Sequence, residues 1–297
     1  VADAGRRTLS RARLAAAHDD FAAVSPEVGR LEPAAFEASL RRDPDAAVAL
    51  LADLATATDP ALRAQARRLA RRLLPALGAS GPARRSGTHR LTARVGTLDG
   101  DLDLERSLER SHARRPRHPH ELVTRRFAAA PRAVCLLVDR SGSMGGHAVA
   151  LAAVAAAAVL AAAGERLRCG VIAFASEAMV LRDPRATGPA DAVLDDLLAL
   201  RGHGRTDLAR ALRVAARLLE SVPPGGRTAI LLSDGLHTTG ADPLPAAAGL
   251  DCLHVLGTSD ADDARDAGRA LARRGRGRWL PATSVAELVV NLQLVLG

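Results

Sequence analysis

The sequence predicts an α/β protein: a doubly wound, mainly parallel sheet over residues 131–297, preceded by a small α-helical domain over residues 1–80. Three observations lead there. From residue 132 onward, short and fully apolar runs alternate with helix-length segments, the pattern of buried parallel strands covered by helices on both faces. Before residue 80, apolar residues recur at helical spacing. Aromatic residues make up only 2% of the chain and Tyr is absent, so Ala, Leu and Val must do the packing, which suits helices that approach a sheet closely.

In the N-terminal part, Ala47, Leu50, Leu51 and Leu54 stand at i, i+3, i+4 and i+7, one face of a helix. Asp59-Pro60 predicts an N-cap followed by proline in the first turn. Leu62, Leu69, Leu73 and Leu74 carry the apolar face of that next helix, Arg63, Arg67, Arg68, Arg71 and Arg72 fall mostly on its wet side, and Pro75 and Gly78 are expected to end it. Residues 81–130 are expected to be a linker with a β-ribbon and a connector. The linker is marked by Gly81, Pro82, Ser86 and Gly87, and Leu91–Leu104 predicts a ribbon turning at Asp99-Gly100. Residues 105–126, with seven Arg, three His, Pro116 and Pro119, predict an exposed connector lying on the domain that follows.

From there the chain alternates. Strands are predicted at Ala133–Val138, Cys169–Ala175, Ala178–Leu181, Thr228–Leu232 and Asp251–Leu256, with a short one at 278–280. Helices are predicted at about 147–163, 189–200, 207–221, 243–249, 261–273 and 284–295. In such a sheet, ligands sit outside the carboxyl ends of the strands.

Composition narrows the chemistry. All 41 basic residues are Arg, so neither a Walker-type phosphate loop nor a Schiff base, both of which need Lys, can be built. Before residue 131 there are 23 Arg against 16 acidic residues, and afterwards 18 against 17. The basic surplus is upstream, where it reads first as a solvated Arg-rich helical surface and second as a face for an acidic partner. Without interleaved aromatics or a reader motif it argues against nucleic acid. Cys135, Cys169 and Cys252 lie in or beside apolar strands with no metal-finger spacing, which reads as packing in a reducing compartment. The N-terminus is polar and charged through Arg13, without a signal-peptide pattern. The Ala-rich run Ala148–Ala163 is too short and too weakly apolar for a membrane span and is expected to be a core helix. The expected compartment is the cytoplasm.

Three loops fall at the functional edge of the predicted sheet. The first strand runs into Asp139-Arg140-Ser141-Gly142-Ser143-Met144, the helix at 207 is preceded by Gly204-Arg205-Thr206-Asp207, and strand TAILL runs into Ser233-Asp234-Gly235. Asp139 and Asp234 offer carboxylates and Ser141, Ser143 and Thr206 offer hydroxyls. Hard oxygen donors with room for water suit Mg²⁺ or Mn²⁺ rather than Zn²⁺. Each loop also has a plainer reading: Ser141 or Ser143 as a helix N-cap, Thr206 likewise, and Asp234-Gly235 as an ordinary turn. His147, His203, His237 and His254 are scattered and expected at the surface or behind the site. Arg140 and Arg205 flank the loops and suit rim salt bridges or an acidic partner. Trp279 is expected to pack in the core or at a sheet edge.

Asp-x-Ser-x-Ser after a buried strand, then Thr-Asp, then Asp-Gly after another strand, resembles the metal-ion-dependent adhesion site of von Willebrand factor A domains. That resemblance implies that Ser141 and Ser143 coordinate Mg²⁺ directly, that Thr206 does so in the high-affinity state, and that Asp139 and Asp234 act through bound waters. It implies that an Asp or Glu of a partner fills the open position, an arrangement that suits an under-neutralised dication. Asp101–Leu108 (DLDLERSL), LLVDRSGSM, LRGHGRTDLARAL and LLSDG are further similar to CoxE-like proteins and magnesium-chelatase D-type subunits. Those relatives imply a MoxR-type or chelatase-type AAA+ ATPase partner. The function expected is a non-catalytic binding adaptor. A phosphatase-like enzyme is the rival, but that chemistry wants Asp-x-Asp, and position 141 is Ser. Extracellular adhesion and RNA binding are two more roles open to such a domain.

Overall fold

In the computed structural model, which describes residues 8–78, 89–96, 101–111, 118–129, 132–141, 146–163, 167–188, 191–199 and 204–296, five helices precede the first strand. They are α1 (Arg11–Ala17), α2 (Phe21–Val24), α3 (Pro33–Arg42), α4 (Pro44–Leu54) and α5 (Pro60–Gly78). Asp59 caps α5 as its sequence predicts: its carboxylate accepts the Ala61 and Leu62 amides at 2.8 and 3.2 Å. Pro75 does not end α5, which runs on to Gly78. A proline in the last turn removes one N–H donor without preventing the helix from closing after it.

Residues 84–131 form a compact unit of their own. Its strands β1 (His89–Val95) and β2 (Asp101–Leu102) are followed by helix α6 (Leu104–Arg110) and strand β3 (Val123–Ala129). The sheet order is β1-β3-β2, antiparallel throughout. This corrects the expected ribbon: β1 and β2 each pair with β3 rather than with one another, and the Asp99-Gly100 turn lies outside the described residues. The stretch expected to be a connector supplies a helix and the middle strand. Asp103 joins them, accepting the Arg106 amide at 3.2 Å and Arg125 Nε at 2.6 Å. Burial opposes its ionisation, but the Arg106 amide and the Arg125 guanidinium together hold its pKa below the usual value.

The main sheet follows. Its elements are β4 (Arg132–Asp139), α7 (Gly146–Ala161), β5 (Leu167–Phe174), β6 (Ala178–Arg182), α8 (Asp191–Ala199), α9 (Leu208–Leu219) and β7 (Arg227–Ser233). Then come α10 (Pro243–Ala248), β8 (Leu253–Gly257), α11 (Asp262–Arg274), β9 (Arg276–Pro281) and α12 (Val285–Leu296). The strand order is β6-β5-β4-β7-β8-β9, parallel except for the edge strand β6. Alternation along β4 divides its side chains between two cores. Val134, Leu136 and Val138 face the α7 side, whereas Ala133, Cys135 and Leu137 pack with Leu208, Leu212, Leu231 and Leu271 on the other.

Residues 8–78 and 132–296 belong to one compact unit. The N-terminal helices, expected as a domain of their own, bury Leu50, Leu51, Leu54 and Leu74 in the same apolar cluster as Val134, Leu136 and the whole middle of α7. This explains the composition of α7, where every residue from Val149 to Leu160 is buried. A helix covered on all sides must be apolar all round, and alanine lets the layers above and below approach closely. Asp45 reinforces the join by accepting the Val285 amide at the start of α12, at 2.7 Å.

Candidate metal centre

The chain enters the sheet at β4, adds β5 on one side and later β7 on the other. The order therefore reverses between β4 and β7, and the crevice beyond their carboxyl ends is where a doubly wound sheet holds ligands. Asp139 is the last residue of β4 and Ser233 the last of β7, and the parallel register, with Val138 opposite Leu232, brings the two side by side.

Asp139 is 1% exposed. Its Oδ1 accepts the Ser141 amide at 2.8 Å and its Oδ2 accepts the Ser233 hydroxyl at 2.6 Å. Burial pushes its pKa up; hydrogen bonds from Ser233 and from the Ser141 amide and hydroxyl restrain that rise, and the charge of Asp234 adds to it. Asp234 follows β7 and accepts the Leu236 amide at 3.0 Å, which turns the chain. Gly235 completes the turn with φ +78°, and a Cβ there would stand 3.1 Å from the Gly268 nitrogen in α11. Only glycine fits both the conformation and the contact.

Thr206, 3% exposed, is brought to this edge by backbone bonds. Its amide donates to Thr238 Oγ1 at 2.9 Å, and its carbonyl accepts the Thr238 amide at 3.0 Å. The next amide, Asp207, donates to the Ala175 carbonyl beyond β5 at 2.8 Å. Asp207 is also the N-cap of α9, accepting the Arg210 amide at 2.9 Å, so the capping role falls to Asp207 rather than Thr206.

Of the five residues singled out in the sequence, Asp139, Ser141 and Asp234 thus form one interacting group, and Thr206 joins the same edge. Ser143 lies outside the described residues. The four described donors are two carboxylates and two hydroxyls. Among the described residues no group of three or more His, Cys, Asp or Glu gathers as a metal site, and the candidate donors named above all offer oxygen. Two carboxylates and two hydroxyls are a donor set that a dication preferring oxygen fits.

Two residues at this edge were not singled out in the sequence. Ser233, fully buried, donates to Asp139 and accepts the Gly235 amide at 3.0 Å. Its signal was a lone hydroxyl closing an apolar central strand. Thr238 had no signal, because its contact with Thr206 spans 32 residues. Of the histidines, His147 bonds the Thr283 carbonyl at 2.9 Å and His254 receives the Arg278 amide at 3.2 Å. His237 is exposed, and His203 lies outside the described residues. Trp279, in β9, packs against Gly257 and Gly268 beneath the Arg269 guanidinium.

Among curated proteins, none matches the chain. Solved structures that are similar include an aerotolerance-related membrane protein from Bacteroides fragilis, at 18% identity and TM-score 0.44, over 56% of this chain and 98% of that one. A von Willebrand factor type A protein from Catenulispora acidiphila is 17% identical with TM-score 0.45, over 73% of this chain and 50% of that one. Proximal thread matrix protein 1 from the mussel byssus, solved with a zinc-occupied MIDAS motif, is 16% identical with TM-score 0.44, over 56% and 47%. The chain therefore spans about half the length of the last two. Residues 134–237, the segment that runs from β4 past Asp234 and contains all five candidate ligands, match the family model of the von Willebrand factor type A domain.

Proposed function

We propose that this chain is a non-catalytic, metal-dependent protein-binding adaptor, in which Asp139, Ser141, Ser143, Thr206 and Asp234 hold Mg²⁺ (or Mn²⁺) and an Asp or Glu of a partner completes the site. The observation that carries the reading is the buried Asp139 carboxylate at the sheet's switch point, oriented by Ser141 and Ser233 and set beside Asp234. When bound, the dication supplies a Lewis-acidic position for an outside carboxylate. The chain's own residues do the rest. Both Asp139 oxygens already accept hydrogen bonds, which suits a carboxylate that steadies the ion through water rather than neutralising it. The hydroxyls of Ser141, Ser143 and Thr206 add no charge, so the ion keeps its attraction for a partner's acid.

The partner class is a MoxR-type AAA+ ATPase or its client. This rests on the resemblance of Asp101–Leu108 and the three metal loops to CoxE-like proteins. The compartment that goes with such a partner is the cytoplasm; among the described residues no helix is long and apolar enough to cross a membrane. Ser at position 141, where a phosphatase of this loop pattern needs a second Asp, favours binding over catalysis.

The test is capture of a MoxR-type ATPase from the same genome, in Mg²⁺ and in EDTA, by the wild-type chain and by Asp139→Ala and Ser141→Ala. Capture should require the metal and both side chains, with circular dichroism unchanged. Equal capture under all conditions would sink the adaptor reading, and metal-dependent turnover of p-nitrophenyl phosphate would replace it with the enzyme.

A further inference from the structure

A groove of about 690 Å³ lies between α9 and α10. Arg210, Arg213 and Arg217 line its α9 side, and Ala216, Pro245 and Gly249 give it a small, largely apolar floor. The three arginines stand at i, i+3 and i+7 and are exposed, because the opposite face of α9 is committed to the core through Leu208, Ala211, Leu212, Ala215 and Leu219. Arg210 is held by Glu177, Nη1 to Oε1 at 2.8 Å. Arg213 and Arg217 make no ion pair among the described residues. The acidic lining residue, Asp242, is occupied in capping α10, where it accepts the Leu244 amide at 3.0 Å. The groove therefore presents net positive charge above an apolar floor.

Its position ties it to the metal edge. The helix that carries the arginines starts directly after Thr206 and Asp207, and the loop that closes the groove's near end starts at Gly240. There the backbone lies so close to the Asp207 carboxylate that an added Cβ would come within 2.4 Å of its Cγ. From the metal edge the arginine row leads away along α9, covering roughly 10 Å at a helical rise of about 1.5 Å per residue.

We propose that this groove receives an acidic, extended segment of the protein partner, continuous with the carboxylate that meets the metal; the proposal rests on the adaptor reading above. The spacing supports an extended occupant. Arg213 and Arg217 are four residues apart, about 6 Å along the helix axis. Side chains on one side of an extended chain repeat at roughly 6.5–7 Å. Acidic residues at alternate positions would thus meet the two arginines in turn, while small residues between them lie on the Ala216, Pro245 and Gly249 floor. A small phosphorylated ligand suits the groove less well. Its cations stand in a row along α9 instead of converging on one point.

The probe is a fluorescein-labelled peptide of about eight residues alternating Glu with Ala, long enough when extended to reach from the metal edge past Arg217. Its anisotropy is followed with wild type, the Arg213→Glu/Arg217→Glu double variant and Asp139→Ala, each in Mg²⁺ and in EDTA. Both arginines are exposed, so the double variant should keep the wild-type circular dichroism and melting temperature. Its affinity for the peptide should fall by at least about tenfold even in EDTA, since two favourable rim contacts become repulsive. Added NaCl should weaken wild-type binding in the same direction. Asp139→Ala should remove only the Mg²⁺-dependent part of the affinity. Wild-type affinity in the double variant overturns the groove, and does so without touching the metal reading if Asp139→Ala and EDTA still weaken binding. Loss in the double variant while Asp139→Ala binds as wild type in Mg²⁺ supports the groove and removes the metal reading. Displacement of the peptide by millimolar inorganic phosphate would mark a small-anion site and overturn the peptide proposal.

Discussion

Ser233 links the two strands that flank the switch point, and replacing it with Ala tests how much that link contributes. Its hydroxyl is fully buried, donates to Asp139 Oδ2 at 2.6 Å and accepts the Gly235 amide at 3.0 Å. Ser233→Ala removes a hydrogen bond to a charged group, a contribution of about 1.5–3 kcal/mol, and leaves a buried amide without that acceptor, about 1–3 kcal/mol more. Partial relaxation of the turn offsets some of this, so a net loss of about 3 kcal/mol is expected. For a unit of this size each kcal/mol lowers the midpoint by about 2–4 °C, so the melt should shift down by about 6–12 °C. The assay is thermal unfolding followed by far-UV circular dichroism, in EDTA so that metal binding does not contribute. Ser176→Ala, at an exposed turn, is the control and should stay within about 0.5 kcal/mol of wild type. A second readout follows from the same bond. The Ser233 hydroxyl restrains the upward shift of the Asp139 pKa, so, on the proposed Mg²⁺ site, its loss should also make the stabilisation by added Mg²⁺ smaller than in wild type. If Ser233→Ala melts within the range of the Ser176 control, the hydroxyl does not join β4 to β7 and the reasoning about this edge is wrong.

Three further outcomes are expected. Gly235→Ala, which combines a positive φ with a close approach to Gly268, should destabilise by about 1–3 kcal/mol and, on the proposed Mg²⁺ site, weaken stabilisation by added Mg²⁺ by displacing Asp234; a melt unchanged in EDTA would show that the turn tolerates a side chain. Asp20 is held below the ordinary aspartate value of 3.8 by hydrogen bonds from Ser39 and then Arg42, so its stabilising contribution is complete above that value and lost as the pH falls through the lower folded one. Asp20→Asn should therefore flatten the acid limb of a stability–pH curve, and an unchanged limb would refute the assignment. Burial raises the Cys135 thiol far above its usual range and Cys169 to about 12, so iodoacetamide at pH 8 should label neither in the native protein and all three cysteines after denaturation.

Much of this was legible from local pattern. The apolar runs that became β4, β5 and β7 are recognisable because a strand buried on both faces needs no polar positions, and the predicted helix and strand ends lie within about three residues of those observed. Asp139 and Asp234 could be placed at carboxyl ends because the first polar residues after such a run mark where the strand ends. The misread ribbon has a local origin. Asp99-Gly100 suggested that its two flanking segments pair with each other, yet β3, from more than 20 residues further on, lies between them.

Periodicity tells which residues seek burial and which loops carry oxygen donors, and for this chain it determined the α/β class, the order of elements from β4 onward and the candidate donors. Strand order belongs to the tertiary structure, and with it the pairing of Asp139 with Ser233, the anchoring of Thr206 by Thr238, and the double covering of α7 by the sheet and the N-terminal helices. Burial preference is a property of each segment, whereas a neighbour is selected by the free energy of the whole packed arrangement. A serine that ends a strand therefore looks the same in the sequence whether it faces water or a buried carboxylate.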